Sequence, residues 1–240
     1  MATSASSGIK PDHVIIWCDK NMGVPKNNKD SKAVLNENAD LTRPPPDEYS
    51  NINYFICNMN PYLNKSKFEI LIKSPLRMFT DEDECMKSIN DNIEANKRVF
   101  LITSGQMGAL IIPEVYKHPD VYQKLSGSTY IFCAQRNLHE QWTGPYEKDI
   151  EIYDDEKGVF AKVLLDIGVS YMTKAQEATE NPGAAIQYLY WAQRLLKSAV
   201  KVDGINRNDY LNYIQEQLSE LNAASTDGND SDTEMSVDAD

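Results

Sequence analysis

The sequence predicts an α/β protein: a five-stranded parallel sheet flanked by helices, followed by a C-terminal helical extension. Three observations carry that expectation. Short runs that are apolar on both faces, Val14–Cys18 (VIIWC) and Val99–Thr103 (VFLIT), suit central strands covered on both sides. Such runs alternate with helix-like segments, the βα rhythm of a parallel sheet. Beyond residue 157 the strand pattern stops and only helical spacing continues.

The elements follow in order. Residues 1–11 carry no periodic pattern and read as a disordered N-terminus, and His13–Cys18 opens the α/β domain of residues 12–156. A polar stretch at 20–48, rich in Asn and Lys and closed by Pro44-Pro45-Pro46, cannot bury enough apolar surface to order itself and reads as a loop insert. Tyr49–Ile56 is spaced as a short helix, and Phe68–Ile72 fits either a strand or a helix. Leu76–Thr80 is strand-like. Asp81–Glu84 then supplies acids for a helix first turn, with Cys85, Ile89 and Ile93 at helical spacing. Val99–Thr103 leads through Ser104-Gly105 into a helix carrying Met107, Leu110, Ile111 and Val115, bent by Pro113 and followed by Pro119. Thr129–Cys133 is a strand and Asn137–Thr143 a short helix. Ile150–Tyr153 alternates as an edge strand should. Within the extension, 157–222, a stripe of Val159, Val163, Ile167 and Tyr171 predicts one helix. Pro182 to Gly204 predicts a second, and Tyr210–Leu221 a third. Residues 223–240 read as a disordered acidic tail.

Charge narrows the function classes. The 240 residues hold 24 basic and 36 acidic side chains, a net charge of −12, which disfavours nucleic acid or an anionic membrane as partner. Half of that charge lies in residues 225–240, which contain six acids and no base. No apolar run has the length of a signal peptide core or a membrane span, so a cytoplasmic location is expected. Cys18, Cys57, Cys85 and Cys133 read as free, mostly buried thiols. His13, His118 and His139 are isolated, so no metal site is expected. Trp17, Trp142 and Trp191 are not interleaved with basic residues and read as packing residues.

In a parallel βα sheet, chemistry gathers at the carboxyl ends of the strands. Asp19, Ser104, Gly105 and Gln106 fall there and form a candidate nucleotide-binding set. The amides of Ser104-Gly105-Gln106-Met107-Gly108 open a helix where a phosphate can bind, although the invariant spacing and Lys of a P-loop are missing. A phosphoacceptor role for Asp19 lacks the accompanying acids and Lys. Glu114, on the helix after the third strand, is the candidate catalytic carboxylate for cleavage at an oxocarbenium-like centre. Ser231, in the sequence SDTE, suits an acid-directed kinase.

The runs VIIWCDKNMG (14–23), FTDEDECMKSI (79–89), RVFLITSGQMG (98–108), TYIFCAQ (129–135) and HEQW (139–142) stand in a familiar order. Together they resemble a flavodoxin-like, Toll/interleukin-receptor-like (TIR-like) module of large invertebrate multidomain proteins, where it accompanies tetratricopeptide arrays or ADP-ribosyltransferase domains. The resemblance spans residues 12–222 and implies the strand order 2-1-3-4-5. It also makes NAD the alternative cofactor, cleaved with Glu114 beside Ser104, although the Trp-Cys pair of true TIR domains is absent. The expected function is an intracellular signalling or scaffold module that uses no cofactor. Its expected partners are other proteins, a second copy among them, met through the sheet-edge loops or the helical hairpin.

Overall fold

The computed structural model describes residues 12–20, 76–125 and 127–227. The expected features at 1–11, at 21–75 and at 228–240, with Cys57 and Ser231, lie outside these residues. Five strands form one sheet: β1 (His13–Cys18), β2 (Leu76–Phe79), β3 (Arg98–Ser104), β4 (Thr129–Phe132) and β5 (Ile150–Tyr153). Their order is β2-β1-β3-β4-β5 and every neighbouring pair is parallel. This is the flavodoxin-like layout expected from the sequence.

The helices are α1 (Glu82–Glu94), α2 (Gly105–Tyr116), α3 (Pro119–Leu125), α4 (Arg136–Thr143), α5 (Glu156–Glu177), α6 (Pro182–Asp203) and α7 (Asn208–Asp227). A single 3₁₀ turn, Gly144–Tyr146, links α4 to β5. Most boundaries differ from the sequence reading by one or two residues, and two differences are larger. Pro119 does not merely follow a helix; it opens α3, since a first-turn proline gives up an amide that has no helical partner anyway. Helix α7 runs past Leu221 to Asp227, because Ala223 and Ala224 favour helix and the run of acids begins only at Asp227.

Strand alternation divides the core between two faces. Ile15, Trp17, Phe100, Ile102 and Tyr130 point to one face and pack beneath Val159, Phe160, Val163, Ile167 and Tyr171 of α5. The same apolar cluster continues through Leu189, Ala192 and Leu196 of α6 to Ile214 and Leu218 of α7. Sheet and helical extension therefore share one core. On the other face, Val14, Ile16, Cys18, Val99 and Leu101 meet Cys85 and Ile89 of α1, Met107, Ile111 and Val115 of α2, and Leu125 of α3. A smaller cluster joins Ile112, Ile131, Cys133 and Ile150, with Trp142 and Tyr146 packed against it.

The turn between α6 and α7 is built from polar pieces. Gly204 takes a left-handed φ of 72°, which glycine adopts without a Cβ clash, and its amide closes on the Val200 carbonyl at 2.8 Å. Arg207, 8% exposed, forks onto Asp203 with Nη1–Oδ1 at 2.7 Å and Nη2–Oδ2 at 2.5 Å. Burial alone raises the Asp203 carboxyl. The Arg207 and Ile205 hydrogen bonds and the guanidinium charge outweigh burial and hold the carboxyl below its ordinary value.

Candidate functional site

The strand order reverses direction between β1 and β3, with β2 flanking β1 and β4 flanking β3. In sheets of this kind that reversal is where a binding crevice is expected. Cys18 lies opposite Thr103, so Asp19 and Ser104 leave the sheet side by side. The structure thus brings together two of the residues singled out from sequence. Gln106 is exposed in the first turn of α2. Glu114 is not brought to them. It sits in the last turn of α2, ten residues from Ser104, and a helix rising 1.5 Å per residue separates the two by roughly 15 Å.

Glu114 is also engaged where it stands. Its side chain is 41% exposed and pairs with Lys117 Nζ at 2.6 Å and His118 Nε2 at 3.5 Å. The Lys117 hydrogen bond and charge hold its carboxyl below the ordinary range, with His118 adding to the effect. A carboxylate turned to the surface and paired with Lys117 and His118 is remote from the Asp19–Ser104 strand ends, where an oxocarbenium-like centre would have to form.

The polar residues at the strand ends have structural tasks as well. Ser104 Oγ accepts from the Met107 amide at 3.5 Å and caps α2. Asp81 accepts from the Glu84 amide at 3.0 Å and caps α1, and Asp155 accepts from the Gly158 amide at 2.7 Å and caps α5.

The glycines of the Ser104–Gly108 turn have a neighbour that sequence spacing did not indicate. A Cβ on Gly105 would lie 2.3–2.5 Å from the His139 ring, and one on Gly108 would lie 3.2 Å from Trp142. His139 and Trp142, three apart on α4, share a helix face and seat on these two glycines. Trp142 Nε1–H donates to His139 Nδ1 at 3.1 Å. Because an indole nitrogen only donates, Nδ1 is the acceptor in this hydrogen bond. The glycines thus admit a close helix contact beside the start of α2. The HEQW spacing puts His139 and Trp142 on one helix face, but nothing in it shows that the face rests on glycines about 34 residues upstream.

At the far side of the sheet, a groove of about 590 Å³ runs between β5 and the α4–3₁₀ segment. Behind β5, Glu151 and Asp166 both pair with Lys162, at 2.8 and 3.0 Å. Tyr130 donates to Asp166 at 2.6 Å and Tyr153 to Glu151 at 2.5 Å. Burial, followed by these carboxylates, pushes both phenols up, so they remain donors that fix the acids.

Among the described residues, no group of three His, Cys, Asp or Glu side chains is placed to hold a metal ion. None of the described helices is long and apolar enough to cross a membrane. Comparison with known proteins found no match among family models, curated protein sequences or solved structures. Since a shared architecture confers no activity, function has to be argued from these surfaces alone.

Proposed function

We propose that the chain is a TIR-like signalling or scaffold module that acts in the cytoplasm through contacts with other proteins, without catalysis. The observation that carries this reading is the outer surface of the helical extension. Tyr190, Ile205 and Tyr210 are 49%, 60% and 41% exposed, all within α6, the α6–α7 turn and the start of α7. Ile205 and Tyr210 flank a turn pinned by a buried Arg–Asp fork, and Tyr190 lies about 20 Å back along α6. The exposed apolar side chains are thus spread along one arm and suit an extended recognition surface. Tyr188 and Trp191, beside Tyr190 in sequence, instead pack on Tyr171, with ring centroids at 5.8 and 5.1 Å.

A second reading is supported by the adjacency of Asp19 and Ser104: binding of a nucleotide, NAD included, at the β1–β3 crevice. The remote position of Glu114 weighs against turnover there. Two measurements separate the readings. Proximity labelling in cells is expected to mark a set of neighbouring proteins that is lost in a Tyr190→Ser, Ile205→Ser, Tyr210→Ser triple variant. Incubation with NAD and a nucleotide panel is expected to release no nicotinamide and to leave the melting temperature unchanged. Nicotinamide release that disappears in Glu114→Ala would overturn the proposal.

A further inference from the structure

We infer that the open edge of β5, with the groove beside it, receives an extended peptide bearing basic side chains as a sixth strand of the sheet. This deepens the protein-interaction reading, on which it rests, by naming a place and a partner chemistry.

The backbone supplies the first argument. Among the described residues, strand β5 pairs only with β4, which leaves its other edge open there. The Cys133 amide donates to the Tyr153 carbonyl at 2.8 Å, and with the parallel register this fixes the backbone groups of Glu151 and Tyr153 toward β4. Alternation then turns the N–H and C=O of Ile152, and the C=O of Ile150, to the open side. These are the groups that an added strand hydrogen-bonds.

The groove supplies the second. Its walls carry Arg136, Glu140, Thr143 and Glu147, and Ile150 and Ile152 form its strand side. Alternate side chains of an added strand project into it, while the others fall beside Glu151 and Tyr153. Four residues of β5 span roughly 13 Å at 3.3 Å each, enough to register a short peptide.

Charge identifies the occupant. Residues 136–155 contain six acids against Arg136 and Lys148. Arg136 is already paired with Glu140 at 2.9 Å, and Lys162, reaching over from α5, with Glu151. Glu147 is exposed at the groove wall. Two β5 edges brought together would oppose two such acidic segments, and like charges facing across strands repel. The same acids attract lysine or arginine on a partner strand. A basic peptide is therefore favoured over a second copy.

The test uses the full chain and a fluorescein-labelled eight-residue peptide of alternating lysine and threonine, followed by anisotropy. A matching glutamate–threonine peptide is the control. The lysine peptide is expected to bind, to weaken as salt rises, and to slow amide exchange at Ile152; the glutamate peptide is expected not to bind. Glu147→Lys should weaken binding about tenfold, since it replaces an attraction with a repulsion. Ile152→Pro should abolish it by removing the outward amide while sparing the β4 ladder. Equal binding of both peptides, or binding indifferent to Glu147→Lys, would overturn the inference. So would dimerisation in sedimentation that Ile152→Pro abolishes, which would give the edge to a second copy. If the lysine peptide fails while the triple variant still loses its labelled neighbours, the inference alone falls and the interaction reading stands.

Discussion

The imidazole of His13 lies 2% exposed at the start of β1 and shares a 2.6 Å hydrogen bond with the Tyr171 hydroxyl. Burial, with the Arg98 charge secondary, lowers its pKa to about 3 from an ordinary 6.5. The unfolded chain takes up a proton near pH 6.5 that the folded chain refuses. The stability from a neutral, buried His13 is complete above that pH and is lost as pH falls from about 6.5 toward 3, by up to roughly 1.4 kcal/mol per unit. Urea unfolding at pH 7.5 and 5.5 should show that loss in the wild type. His13→Phe should be less stable at both values but nearly flat between them; parallel slopes would refute the assignment. Nothing in the sequence around His13 announces this role. The residue is burdened by a helix 158 positions away.

At the scale of elements, α4 and α2 meet through a contact with no slack. Gly105→Ala drives a Cβ into the His139 ring, which Trp142 holds by its hydrogen bond. The substitution should cost about 1–3 kcal/mol, in the range of overpacked contacts. Adding His139→Ala should return part of that loss, and a double-mutant cycle with no coupling would exclude the contact as its source. The strands were legible because unbroken apolar runs such as VIIWC leave no polar face for solvent. Even the edge position of β5 followed from its alternation, and Asp19 and Ser104 were correctly brought to neighbouring strand ends. What the sequence did not yield depends on contacts across distance. The turn glycines resemble a phosphate loop until His139 is seen resting on them. Glu114 looks available until its place a full helix length from Ser104 is known. The β5 groove lies within one run of chain, residues 136–153, but it exists only once α4 and the 3₁₀ turn fold back beside β5.

For the whole molecule, the division into an α/β domain and a helical extension marks a change of pattern rather than a change of core. Ile15, Trp17, Phe100, Ile102 and Tyr130 are covered by α5, and α5 by α6. Uncovering five such side chains forfeits roughly 10 kcal/mol at about 2 kcal/mol each, comparable to the entire stability of a domain. A chain ending at residue 156 should show no cooperative melt and should bind hydrophobic dye, while the full chain should unfold in one calorimetric transition with matching enthalpies. A two-state melt of the shortened chain would refute this unity. The same arrangement sets a condition on biosynthesis. Strand β1 leaves the ribosome long before its cover does: His13 waits 158 residues for Tyr171, and Asp12 waits 162 for the ion pair with Lys174. At roughly 5–20 residues per second, that is about 8–30 s during which an uncharged, β-prone pentapeptide stands unguarded in the nascent chain. Soluble yield should therefore depend on chaperone supply during translation more than on the stability of the finished fold.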